Sequence, residues 1–243
     1  MAERLNPFDA ALVYLGGRYQ GTGLTPEGRI CYQGFLENVI RGKRQSLSSL
    51  GGVLTGYNLN FQNVSCLKNL INGGLVLSNY TNQGPLRGLW HSLAISVAVM
   101  DETGREMHWV QSWGSNRLVA IVHTAIAESV GGIIVKVPGQ WGGGTQVIID
   151  ALSHNEIVGL YPEGRPQRRL GPATRGAGRI IYRAAEKERR IIIASCLPDG
   201  RDLNISFQSL APKEVLGAQN GNLDAVGQNV MLAILSQLPV TVK

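Results

Sequence analysis

Between Gly159 and Gly178 the chain places one carboxylate, Glu163, a following glycine, Gly164, and the guanidiniums of Arg165, Arg168, Arg169 and Arg175. Guanidiniums clamp phosphate oxygens in pairs, and a carboxylate accepts hydrogen bonds from hydroxyls, so this set suits a phosphorylated polyol. From Glu163 to Arg190 there are nine Lys or Arg against three acids, an excess of six, while the whole chain carries a net charge of +6. The basicity therefore belongs to one patch, and a patch of one sign concentrates an anionic partner. Phosphorylated small molecules and anionic lipid surfaces both fit. Nucleic acid does not, because Tyr182 is the one aromatic in the window and stacking residues are not interleaved with the charges.

Each of these residues also has an ordinary structural reading. Glu163 could pair with Arg165 or Arg168 on a solvated loop, and Gly164 could serve a turn rather than a ligand. Arg175, Arg179, Arg183 and Lys187 recur every four residues opposite Ala173, Ala177, Ile180, Ile181 and Ala184, which predicts an amphipathic helix whose basic stripe faces solvent or a membrane surface. His91 stands beside Trp90 and Leu93, where a packed or capping histidine is the favoured reading and a dyad with Asp101 the alternative. His108, His123 and His154 have no partner at metal-binding spacing, and Cys31, Cys66 and Cys196 lie far apart, so no metal site is expected. Gly142-Gly143-Gly144 lacks the Lys-Ser/Thr of a phosphate loop, and no Gly-x-Ser-x-Gly elbow occurs.

The elements needed to hold these residues read as alternating strands and helices. Apolar runs at Leu54–Leu59, Gly74–Ser78, Glu106–Ser112, Gly132–Val137, Ile157–Tyr161, Ile191–Ser195 and Asn204–Phe207 predict strands. Helices are expected over Asn6–Tyr19, Gly28–Gln45 (with Ile30, Phe35, Val39 and Ile40 as its apolar stripe), Leu86–Met100, Arg117–Val130, Gly144–Leu152, Pro172–Lys187 and Leu223–Leu235. Pro172 suits the first turn of its helix. The pattern predicts an α/β fold: a single layered domain at 51–243 with a mixed, largely parallel sheet flanked by helices, preceded by an N-terminal helical segment at 1–50. Ligands of such sheets sit beyond the carboxyl ends of the strands, which makes Asn79–Pro85 and Pro162–Leu170 the expected walls of one site. Three dispersed cysteines, no secretory leader and no run of roughly 20 apolar residues point to a cytoplasmic protein, with any membrane contact peripheral.

With these residues in view, the chain over roughly residues 54–239 resembles the 1-acylglycerol-3-phosphate and glycerol-3-phosphate acyltransferases. Tyr161-Pro162-Glu163-Gly164-Arg165 is similar to the family's Phe-Pro-Glu-Gly-Thr-Arg block, Gly131–Val135 and Arg190–Ser195 to two of its strands, and Leu75–Asn79 to the approach to its Asn-His-x-x-x-x-Asp block. The resemblance implies acyl transfer from an acyl thioester to a lysophospholipid or glycerol phosphate. Acyl-CoA or acyl-carrier protein would be the co-substrate, no bound cofactor is required, and an anionic membrane surface would be a partner. It implies substrate-binding roles for Asn79, Glu163, Gly164, Arg165, Arg168 and Arg169. The departure is at the chemistry: Tyr80 stands where the family has its histidine base and Pro85 where it has the orienting aspartate. A tyrosine with an ordinary pKa near 10 is a poor base at neutral pH, and proline orients nothing by side-chain hydrogen bonding. A catalytically inactive member that binds acyl or phosphate ligands or a protein is therefore the alternative, with His91 as the candidate for a relocated base.

Overall fold

The computed structural model describes residues 23–80, 89–112, 124–135, 144–164, 171–217 and 222–238. The expected helix Asn6–Tyr19 lies outside them. Seven strands form one sheet: β1 (Asn58–Gln62), β2 (Gly74–Ser78), β3 (Met107–Ser112), β4 (Ile133–Val135), β5 (Ile157–Leu160), β6 (Arg190–Asp199) and β7 (Asp202–Leu210), in the order β1-β7-β6-β2-β5-β3-β4. Every neighbouring pair is parallel except β6 and β7. The fold is thus α/β with a mixed, mostly parallel sheet flanked by helices. Central β2 and β5 are buried at every position, as continuous apolar runs require when both faces of a parallel sheet are covered.

Alternation along the strands divides the core in two. Val76, Trp109, Ile157, Ile192 and Phe207 point to one face, beneath α1 (Pro26–Ile40), α2 (Leu89–Thr103) and two 3-10 segments at Ser48–Leu54 and Val64–Leu70. Leu75, Leu77, Val158, Ile191 and Ile193 point to the other, beneath α3 (Gly144–Ser153), α4 (Arg175–Glu186) and α6 (Leu223–Ser236), with the short α5 (Pro212–Leu216) beside them. A further helical stretch at 124–129 adds Ile126 to the first core. Within the N-terminal segment, Leu24, Tyr32, Phe35 and Leu36 join that same core.

Several local expectations are corrected. Ile30 is 70% exposed, whereas Phe35 is buried and Val39 and Ile40 are partly buried against the core; Gly28, Tyr32 and Leu36 complete the buried face of α1, because Gly28 is where the helix meets the backbone of Val53. The strand expected at Leu54–Leu59 begins at Asn58, since Ser48–Leu54 coils as a 3-10 segment that buries Leu50, Val53 and Leu54. Helix α4 starts at Arg175 rather than Pro172: the Thr174 hydroxyl caps it by accepting from the N–H of Ala177 at 3.3 Å. The two short strands expected near the C-terminus are a long antiparallel pair closed by a turn with Gly200 at φ +59°.

Candidate functional site

Strands β2 and β5 run parallel in register from Gly74 opposite Ile157 to Leu77 opposite Leu160, so their exits leave the sheet side by side. The described part of each exit loop, Asn79–Tyr80 and Tyr161–Gly164, meets the other through Glu163. Its carboxylate accepts the backbone N–H of Tyr80 at 2.9 Å on one oxygen and that of Gly171 at 3.3 Å on the other. Glu163 is buried, and burial pushes its pKa up to about 6 even though the two N–H donors pull it down.

The residues on either side of the arginine-bearing segment 165–170 are fixed at this exit. Gly164 turns the chain at φ +71°, where a side chain would be strained and its Cβ would lie 3.0 Å from Thr174 Cγ2, and its N–H donates to the Tyr161 carbonyl at 3.0 Å. On the far side of that segment the N–H of Gly171 donates to Glu163 and the N–H of Thr174 to the Pro162 carbonyl at 2.8 Å. Arg165, Arg168 and Arg169 lie outside the described residues, as does Pro85, but the residues flanking the arginines on both sides are bonded to the Tyr161–Glu163 exit.

Asn79 is committed to the sheet. Its amide NH2 donates to the Cys196 carbonyl at 2.9 Å and its oxygen accepts the Cys196 N–H at 2.7 Å, so the side chain extends the β2–β6 ladder like a peptide group. Tyr80 stacks on Tyr161 with ring centroids 4.4 Å apart, and Tyr161 stacks on Trp109 at 4.7 Å. Trp109 lies flat across Gly159, where a Cβ would come within 2.6 Å of the indole, and its N–H donates to the Ser96 hydroxyl at 3.0 Å. A column of three rings therefore links the β2 and β5 exits to α2. Sequence reasoning missed Trp109 in this role. The available signal was Gly159, a glycine inside an apolar strand, which marks a close approach by another group.

His91 sits in the first turn of α2 with no exposed surface, and neither ring nitrogen has a hydrogen-bond partner among the described residues. Burial lowers its pKa to about 4, which leaves the imidazole neutral at pH 7. Tyr161 is pushed well above its ordinary pKa, first by burial and then by Tyr80, Cys196 and Glu163 around it, against a smaller opposing effect from the Ser92 hydroxyl. Burial likewise raises the Cys196 thiol to about 12, against a smaller opposing effect from the Ser78 hydroxyl, so it offers no thiolate at neutral pH. The assembled groups can fix two loops, present an aromatic surface and hold a buried carboxylate. No group of three or more His, Cys, Asp or Glu suited to a metal ion occurs among the described residues. No helix among them is long and apolar enough to cross a membrane.

No protein-family model matches the chain, and no curated protein is significantly similar to it.

Proposed function

We propose that this chain is an acyltransferase-like protein of glycerolipid metabolism. In this reading its strand-exit site binds the phosphorylated glycerol headgroup of a lysophospholipid, or glycerol phosphate itself, without the histidine base of the acyltransferases it resembles. The observation that carries the reading is the bridge from Glu163 to the N–H groups of Tyr80 and Gly171, which couples the two exits and holds Gly171, the residue that follows the arginine-bearing segment 165–170. Arg165, Arg168 and Arg169 take the phosphate, and Glu163 acts as a positioning residue. Tyr80 occupies the place of the base with its ring stacked on Tyr161. The ligands place the protein peripherally on a membrane surface facing the cytoplasm.

His91 favours a second, active reading, because it is a buried neutral imidazole with no hydrogen-bond partner among the described residues. A base there would take the proton from an acceptor hydroxyl as its oxygen attacked the thioester carbonyl. The C–S bond would then break, and the proton would pass to the departing thiolate. Two measurements separate the readings: binding of lysophosphatidic acid by calorimetry, and thiol release from acyl-CoA with that acceptor present. The first reading expects binding that falls about tenfold or more when Arg165, Arg168 and Arg169 are all replaced by Gln, since hydrogen bonds to charged groups contribute about 1.5–3 kcal/mol each. It also expects thiol release at background level. Robust release abolished in His91→Ala would install the second reading, and absence of lysophosphatidic acid binding would overturn the first.

A further inference from the structure

Helices α3, α4 and α6 cover one face of the sheet, with α4 packed against both of the others. On the solvent side of α4 and its C-terminal cap, Arg175, Arg179, Arg183 and Lys187 are exposed one turn apart. Arg183 pairs with Glu186 at 2.6 Å and Lys187 donates to the Ser153 hydroxyl at 3.1 Å, whereas Arg175 and Arg179 have no ion-pair partner among the described residues. On the neighbouring helices the aliphatic side chains of Val147, 48% exposed on α3, and Leu232, 61% exposed on α6, also reach solvent. Arg175 and Arg179 therefore take no part in the ion pairs of the described residues, and an exposed aliphatic stands on the helix to either side of their row.

We propose that the α3–α4–α6 layer is a docking face for an anionic phospholipid bilayer. Charge complementarity selects the occupant: the guanidiniums meet lipid phosphates while Val147 and Leu232 enter the boundary between headgroups and acyl chains. A nucleic acid would lack a stacking platform here, because Tyr182, the one aromatic on α4, is partly buried against the second core. The orientation follows from the chain. Thr174, just before Arg175, is held to the Pro162 carbonyl, so the basic row begins at the strand-exit site and runs away from it along α4. Docking on this face sets the strand-exit site at the rim of the contact, where a lipid headgroup can pass from bilayer to site. The docking stands on the helix layer alone, and what passes rests on the function proposed above.

Co-sedimentation of the full chain with vesicles tests this, using phosphatidylcholine alone and phosphatidylcholine mixed with phosphatidylglycerol, in low and high salt and without any lysolipid or thioester. Binding is expected to the mixed vesicles and to weaken with salt, since exposed charges are screened beyond about 8 Å at physiological ionic strength. Each neutralised residue should lower partitioning about fivefold, so Arg175→Gln with Arg179→Gln should lower it about twenty-five-fold. Arg175→Lys with Arg179→Lys should retain most binding, which separates lost charge from lost folding. Glu163→Gln should bind vesicles like the wild type even where it loses lysophosphatidic acid, so failure of the docking and failure of the functional reading are distinguishable. Equal binding to both vesicle types, insensitivity to salt, full binding by the double Gln variant, or capture by an RNA oligomer with none by vesicles would each overturn the proposal.

Discussion

Helix α2 on one face of the sheet and helix α4 on the other bury their surfaces in opposite ways. Residues 90–96, 98 and 99 of α2 are buried, polar His91, Ser92 and Ser96 among them. The polar groups of α2 are used inside the protein: Ser96 donates to the Ser92 carbonyl at 2.8 Å and accepts from Trp109, which ties the helix to the ring column. In α4 a stripe of Ala177, Ile180, Ile181, Ala184 and Ala185 is buried, and the charges lie outside. The difference teaches that on these two helices charge density marks a surface. The two strand exits are joined instead by sparse polar groups in an apolar setting, where the low dielectric makes each one consequential.

The comparison breaks most sharply at two glycines, one for each face. A Cβ on Gly178 would lie 2.0 Å from the carbonyl oxygen of Leu223, a backbone atom that no rotamer change can move. Gly178→Ala should therefore force α6 off α4 and destabilise the fold by about 1–3 kcal/mol or more, read as a fall in the denaturation midpoint. Gly159→Ala should cost about 1–3 kcal/mol by driving Trp109 off β5. Gly159→Ala is also expected to weaken lysophosphatidic acid binding through Tyr161 and Tyr80, while Gly178→Ala is expected to leave it intact in the folded fraction. Equal loss of binding in both variants would erase the distinction.

A pH-dependent effect of comparable size is expected at His91. Its pKa is lowered from 6.5 to about 4 by burial, so the unfolded chain binds the proton more readily. Stability should be level above about pH 6.5 and fall as the pH drops from there toward 4, by up to about 3 kcal/mol. His91→Leu, close in size and apolar, should abolish that decline and raise stability at pH 7 by about 1–3 kcal/mol, because a buried polar group with no hydrogen-bond partner among the described residues is removed. Urea denaturation across the pH range reads both effects. A mutant whose acid decline matches the wild type would mean that His91 is not buried neutral.

Much of this arrangement was legible in the sequence, and the exceptions have physical causes. Strands β2 and β5 were plain because a strand buried on both faces is an uninterrupted apolar run, and α4 was plain because its two stripes separate by helical period. The adjacency of the Asn79 and Glu163 exits followed from reading both as strand ends. The pairing of Asn79 with Cys196 leaves no mark in the sequence, because an amide that imitates a peptide group cannot be told from one facing solvent when its partner is 117 residues away. Ile30 was misplaced because α1 turns toward the 3-10 segment at Gly28, which is a tertiary preference and leaves no periodic trace. The ring column was hidden for the same reason: Trp109, Tyr161 and Tyr80 come together through strand order, which spacing along the chain does not encode.

Glu163 offers the finest test, because its titration runs against that of His91. Burial raises its folded pKa from 4.5 to about 6, above the unfolded value, so its contribution favours folding below about pH 4.5 and is lost as the pH rises through 6. Acidification from 6 to 4.5 therefore recovers stability at Glu163 while it removes stability at His91, and the wild-type profile is the difference of the two. Glu163→Gln deletes the first effect and leaves the second, so the mutant should lose stability more steeply than the wild type over that interval. The amide also has a single oxygen acceptor, so the N–H groups of Tyr80 and Gly171 cannot both keep their partners. One loop is released, at a stability cost of about 1 kcal/mol at neutral pH. A positioning role predicts weaker lysophosphatidic acid binding in this variant, with Glu163→Asp recovering part of it because two acceptor oxygens return on a shorter arm. A Glu163→Gln profile that overlays the wild type between pH 4.5 and 6, with undiminished binding, would mean that the carboxylate neither titrates in that range nor holds the two exits together.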